Sequence, residues 1–369
     1  MMREHVSRAS DSIEAAIARV DPVDRECAER ALERQKTLTA PEGSLGRLLE
    51  IGRTLAAIQR TDRPRGEPAV IAVCAADHGV AVEGVSKYPP QVTGQMVANY
   101  RSGGAAVNVL ARRFQATVRV IDLGVKYPCE SECDSSETLL IRAPIAAGTR
   151  NFLEGAAMSR EEAYRAVETG IELADSWARS EGFEVFALGE MGIGNTTSAS
   201  ALAASLTGAR VADVVGRGTG IDDSGLIHKR EIVARALALH AAKSDVWDRI
   251  AALGGFEILG LAGLAIGAAA ARRLVVLDGF ISSVAGLIAA RLCPNIQGYL
   301  LAAHRGPEPG HRVVLEKLGL VPLLELDLRL GEGTGAAIAL PIVAAAADLL
   351  RDMATFDSAG VSGPTDPVR

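Results

Sequence analysis

Five short apolar runs, each closed by a turn that carries glycine or a polar residue, limit what this chain can fold into. Ala69–Ala76 runs into Asp77-His78-Gly79, Thr117–Leu123 stops at Gly124, and Glu184–Leu188 stops at Gly189. Leu274–Leu277 gives way to Asp278-Gly279, and Tyr299–Ala303 to His304. The runs are continuous rather than alternating, as in strands covered on both faces. Between them lie Ala-rich stretches of helical character. Strand, glycine turn and helix in repetition predict an α/β fold, a parallel Rossmann-like sheet flanked by helices.

The two ends lack such runs. Ala15–Val20 and Cys27–Leu38 space their apolar residues as helices do, and Leu45, Leu48, Leu49 and Leu55 continue the pattern after Pro41-Glu42-Gly43. A polar, proline-bearing stretch from Thr61 to Pro68 marks a boundary, and Thr334–Leu350 reads as one long helix. At 369 residues there is material for a large domain and a small companion. The expected division is 1–66 with 336–369 as a small helical domain and 67–335 as the α/β substrate-binding domain. The Ser-, Gly- and Pro-rich tail Asp357–Arg369 is expected to be disordered.

Composition narrows the function. A formal net charge of -6 with no basic stripe argues against a nucleic-acid partner. Met1–Val20 has no apolar signal-type core, and the most apolar stretch, Ile258–Ala271, falls short of the ~20 residues a membrane span needs. A cytoplasmic protein without a membrane partner is expected. Of five cysteines, only Cys129 and Cys133 have ligand-like spacing, and no second Cys or His pair lies near them in sequence. No metal is expected.

In open parallel sheets, ligands bind beyond the carboxyl ends of the strands. Here those ends carry Asp77, His78, Glu190, Asp278, His304 and, a little later, Glu332. Gly189-Glu190-Met191-Gly192-Ile193-Gly194-Asn195-Thr196-Thr197 follows a strand and opens a helix, a setting in which free N–H groups favour a phosphate. Gly216-Arg217-Gly218-Thr219-Gly220 and Gly331-Glu332-Gly333-Thr334-Gly335 are similar. Each taken alone is equally a tight turn. None continues into Gly-Lys-Ser/Thr, and the first strand's turn lacks the dinucleotide fingerprint, which removes the main support for hydride transfer. Glu332, between glycines, either favours the helix start or serves as a general base in a dry pocket. Glu190 has the same two readings. Asp278 can simply orient the turn before Phe280, and Lys229, placed near a helix start at His228, can pair with Asp222-Asp223 or hold a phosphate.

These segments together resemble the nicotinate-nucleotide:5,6-dimethylbenzimidazole phosphoribosyltransferase family over roughly residues 36–350. The matching pieces are Gly43–Leu48, Ala76–Val80, Glu83–Ser86, Tyr88-Pro89, Val92–Val97 and Gly103–Leu110. Gly189–Thr197, Gly218–Gly220, Asp222-Asp223, Gly254–Glu257, Leu277–Ile281 and Gly331–Gly335 follow in the same order. The resemblance implies that Glu332 is the catalytic base, supported by Glu190 and Lys229. It places Ser86, Tyr88, Gln95 and Met96 near a benzimidazole. Nicotinate mononucleotide would lie on Gly192, Gly194, Asn195, Thr196, Gly218, Thr219, Gly220, Asp278, Gly331 and Gly333. It further implies a homodimer and no cofactor.

Two segments depart from the family pattern. Thr39-Ala40-Pro41-Glu42-Gly43-Ser44 stands where a Lys-Pro start is usual, and Ala303-His304-Arg305-Gly306 stands where a Ser-His-x-Ser loop is usual. The second loses two hydroxyl donors, for which backbone N–H groups or Arg305 can substitute at the phosphate. The alternatives are the same transfer to another acceptor (adenine, another benzimidazole or a phenol) and a protein that binds a nicotinate nucleotide without turnover.

Overall fold

The computed structural model describes residues 2–128, 138–218 and 220–363, with side chains from residue 9. Thr219, Cys129 and Cys133 lie outside the described residues, as does the end of the tail. Six parallel strands form one sheet: β1 Ala69–Ala76, β2 Thr117–Gly124, β3 Thr138–Arg142, β4 Val185–Met191, β5 Leu274–Leu277 and β6 Leu300–Ala302, in the order β3-β2-β1-β4-β5-β6. Five were legible as apolar runs. The sixth, β3, is an edge strand with exposed side chains, so its sequence Thr-Leu-Leu-Ile-Arg has no continuous apolar signal beyond three residues.

All eight residues of β1 are buried, because helices cover both faces of the sheet at its centre. Phe256–Ala270, the apolar stretch, is a core helix against Arg160–Ser180, and nearly every residue in it is buried. Its Ala, Gly and Leu content suits that place: small side chains let helix and sheet approach closely. Met2–Ala18, Arg25–Thr37 and Arg47–Gln59 are the N-terminal helices. Thr334–Asp352 lies along Arg47–Gln59 at one end and meets the sheet at the other. Among the described residues it is the one helix long and apolar enough to cross a membrane, and Ala336, Leu340, Val343, Ala347 and Leu350 on it are buried in the fold.

Two expectations are corrected. The tail is not disordered throughout, since Phe356–Ala359 forms a capped helical turn with Thr355 accepting from the Ser358 N–H. Lys229 is not at a helix start. The helix is Asp223–Leu239, begun by Asp222, whose carboxylate accepts the Gly225 N–H, and Lys229 sits in its second turn.

Candidate active site

Strand order reverses direction between β1 and β4, and in open α/β sheets this switch point is where ligands bind. Beside it, beyond the carboxyl ends of β4, β5 and β6, lies a cleft open at its mouth, with about 110 Å³ of room for water-sized groups. Glu190–Ile193 and Asn195 at and after the end of β4, Gly279–Ile281 after β5, His304 and Gly306–Glu308 after β6, and Leu328–Glu332 supply most of its wall. The wall is apolar at Ile193, Phe280, Ile281, Leu328 and Leu330, and carries carboxylates at Glu190, Glu308 and Glu332.

Glu332 is held in an unusual conformation. Gly331, Glu332 and Gly333 all have positive φ, at 82°, 63° and 81°. For the two glycines this costs little, whereas for Glu332 the left-handed region costs about 1–2 kcal/mol. Two features enforce it. The Asp278 carboxylate accepts from the Gly333 N–H at 3.1 Å and the Ala336 N–H at 2.8 Å, capping helix Thr334–Asp352 from across the sheet edge. Gly189 of β4 lies under the loop so closely that a Cβ there would stand 2.6 Å from the Glu332 carbonyl carbon. Asp278 is therefore engaged with backbone beneath the cleft, where burial raises its pKa against the opposing effect of His304 and those N–H groups.

The cleft buries its acids: Glu190 and Glu332 expose less than a tenth of their surface. Burial pushes the Glu332 carboxyl up to about 7, opposed by the Tyr100 hydroxyl and reinforced by Asp278. Glu190 is pushed up to about 8, by burial first and then by Glu257 and Asp278, while the Asn195 amide that donates to it works the other way.

Beside them is a cationic seat. Lys229 is fully buried, and its ammonium donates to Thr196 Oγ1 at 2.7 Å. Burial lowers its pKa to about 8. The surface pairing with Asp222 and Asp223 is not formed, since Asp222 caps its own helix and Asp223 pairs with Arg217. The ammonium stands 3.3 Å from where a Cβ on Gly218 would be, and the Gly218 N–H donates to Glu308 at 2.8 Å. Thr196, Gly218 and Lys229 thus converge, with Gly194 opening the helix Asn195–Thr207, whose start has no side-chain cap. Gly220 stands in the left-handed region further along the loop.

Helix Val92–Arg101 crosses near the cleft. Its Thr93 accepts the Ile193 N–H at 3.1 Å, and its Tyr100 is fully buried. Gln95 is exposed and Met96 half-buried on the same helix. Ser86 accepts the Tyr88 N–H at 3.2 Å in the preceding loop, and Tyr88 is exposed. None of these four lines the cleft itself. Arg305 is also elsewhere: its guanidinium lies 3.2 Å from Glu325 at the surface. Among the described residues, Arg329 is the arginine that lines the cleft.

The Arg305 loop is fixed by a histidine instead. Gly306 N–H donates to His311 Nδ1 at 3.0 Å, so the proton is on Nε2, which donates to Ser283 Oγ at 3.1 Å. Burial, with help from His304 and Arg305, holds His311 down at about 3, a neutral ring at working pH. A second buried pair, His78 Nε2 with Glu257 Oε1 at 2.5 Å, lies under Gly192. Tyr100, Glu308, His311 and Arg329 have no assigned role in the sequence reading. Only Arg329, two residues before Gly331, was near enough to a glycine loop to be found.

A family model described as phosphoribosyltransferase matches residues 20–361. The nicotinate-nucleotide–dimethylbenzimidazole phosphoribosyltransferase of Roseiflexus sp. (strain RS-1) is 51% identical over 352 residues, 95% of this chain and 98% of the relative. Its counterpart from Geobacter sp. (strain M21) is 48% identical over 95% of this chain and 99% of its own length. The crystal structure of this enzyme from Thermus thermophilus matches with a TM-score of 0.85 and 43% identity, over 92% of this chain and all of that one.

Proposed function

The chain belongs to the nicotinate-nucleotide–dimethylbenzimidazole phosphoribosyltransferase family, and on that premise we propose that it moves the phosphoribosyl group of nicotinate mononucleotide to 5,6-dimethylbenzimidazole. The products are nicotinate and α-ribazole 5′-phosphate. The observation that carries this reading is Glu332, a buried carboxylate locked in left-handed backbone at the edge of an apolar cleft, with its pKa near neutrality.

The nucleotide's pyridinium is already cationic, so the bond from C1′ to its nitrogen breaks with the electron pair leaving on neutral nicotinate. A benzimidazole nitrogen forms the new bond from the opposite face, which inverts C1′. The attacking ring would become cationic, and Glu332 takes the proton from its other nitrogen as charge develops. The reaction as written requires no metal or cofactor. Lys229 and Thr196 form the seat for the 5′-phosphate, and the start of helix Asn195–Thr207 adds its positive end. Glu190, mostly protonated at neutral pH, can donate a hydrogen bond to the substrates. The family resemblance assigns Ser86, Tyr88, Gln95 and Met96 to the benzimidazole, on the helix and loop beside the cleft rather than in its wall. The division into 1–66 with 336–369 and 67–335, a homodimer and a cytoplasmic location complete the proposal.

The test is incubation with nicotinate mononucleotide and 5,6-dimethylbenzimidazole, with products identified by mass and by the anomeric proton coupling. The expected product is the α-linked nucleotide. A nucleotide recovered unchanged would refute the assignment, and so would a β-linked product.

A further inference from the structure

Tyr100 is a phenol in the wrong place for mere packing. It is fully buried, and its hydroxyl is one of few buried polar atoms with no partner in good hydrogen-bond geometry among the described residues. An orphaned buried hydroxyl is costly, and natural structures rarely keep one without a reason. The hydroxyl lies within electrostatic reach of both Glu332 and Glu190. Tyr100 sits on helix Val92–Arg101, whose Thr93 ties that helix to Ile193 of the cleft wall.

We propose that Tyr100 is a positioning residue for the reaction, its hydroxyl donating to the Glu332 carboxylate and so holding the base ionised and aimed into the cleft. This rests on the reading of Glu332 as the base. The surroundings require such a donor. Asp278 at the end of β5 and Glu190 at the end of β4 are carboxyl groups that interact with Glu332, and His304 stands beside Asp278 rather than beside the base. Left alone in that company, a buried carboxylate keeps its proton and cannot take another. Burial and the neighbouring carboxylates keep the phenol itself protonated well above the usual tyrosine range, so it acts only as a donor. A hydrogen bond to the ionised form favours it.

The test is Tyr100→Phe, which removes one oxygen and leaves the ring. Turnover with nicotinate mononucleotide and 5,6-dimethylbenzimidazole is followed from acid to alkaline pH. Rate rises with pH as Glu332 ionises and then levels off. In the variant the acid limb should move to higher pH by about one unit, the effect of one lost charge-assisted hydrogen bond. Activity then falls about tenfold on the limb and little on the plateau. Infrared titration of the carboxyl band, assigned by its loss in Glu332→Gln, should show the same upward movement without any substrate. An unmoved limb overturns the proposal, whether the rate is unchanged or reduced equally at every pH, and so does an unmoved carboxyl band. If Glu332→Gln keeps both the wild-type rate and its limb, the base assignment itself falls, and Tyr100's role in the reaction falls with it.

Discussion

Glu332 combines a residue type that any surface helix start tolerates with surroundings that almost no surface provides. Between Gly331 and Gly333, beside Asp278 and buried in the wall, its carboxyl changes charge near neutral pH. Glu332→Gln is expected to lower turnover by about two to four orders of magnitude, the usual worth of a general base. Nucleotide binding should be nearly unchanged, because binding moves no proton there, and calorimetry beside steady-state rates checks both. The phosphate side gives a comparison between two arginines. Arg305 faces Glu325 at the surface and Arg329 lines the cleft. Arg329→Ala should weaken nicotinate mononucleotide by about tenfold to a hundredfold, the loss of one charge-assisted contact, and Arg305→Ala should leave it unchanged. Titration of both variants with the nucleotide decides, and equal losses would remove the distinction. The glycine loops and Glu332 were legible because glycine and a lone acid at strand ends have few structural uses. Tyr100 was not, since a tyrosine in an amphipathic helix reads as core, and nothing in its neighbours announces which acid it will meet.

Elements matter here through the distances at which they are stacked. Gly189 and Gly333 let β4 and the base-bearing loop touch backbone to backbone, and a Cβ on Gly189 would stand 2.5 Å from the Gly333 nitrogen. Gly189→Ala should therefore push the loop outward, at about 1–3 kcal/mol of stability, and lower turnover more than nucleotide affinity. Thermal melts and a comparison of kcat with KM read the two effects separately. The strands of the sheet's middle could be read from sequence because burial on both faces makes them uniformly apolar. β3 could not, for it is largely exposed. The Asp278 cap joins residues 58 positions apart, and sequence supplies no register for such a bond. Glu308 meets Gly218 across 90 positions in the same way.

The whole molecule carries the cost of its buried acids. Glu190 is raised by burial to about 8 from an ordinary 4.5, so the folded chain binds this proton more tightly than the unfolded chain does. That contribution to stability is complete below pH 4.5 and is lost as pH rises through about 8. The protein should melt higher at about pH 5.5 than at about pH 8, and Glu190→Gln, neutral at both, should show a smaller difference. Calorimetric melts at the two values test this, and an equal slope in the variant would place the dependence elsewhere.

Helix Thr334–Asp352 joins two distant parts: Glu332 stands just before its first turn, and Ala346 lies against Gly52 of the N-terminal helix Arg47–Gln59. During synthesis at about 5–20 residues per second, that N-terminal helix emerges long before its partner exists. The sheet can form its first four strands while the base and the rod that anchors it are still inside the ribosome. Every shorter chain is thus an incomplete catalyst, and arrival of the rod both buries the waiting helices and sets the base in its cleft.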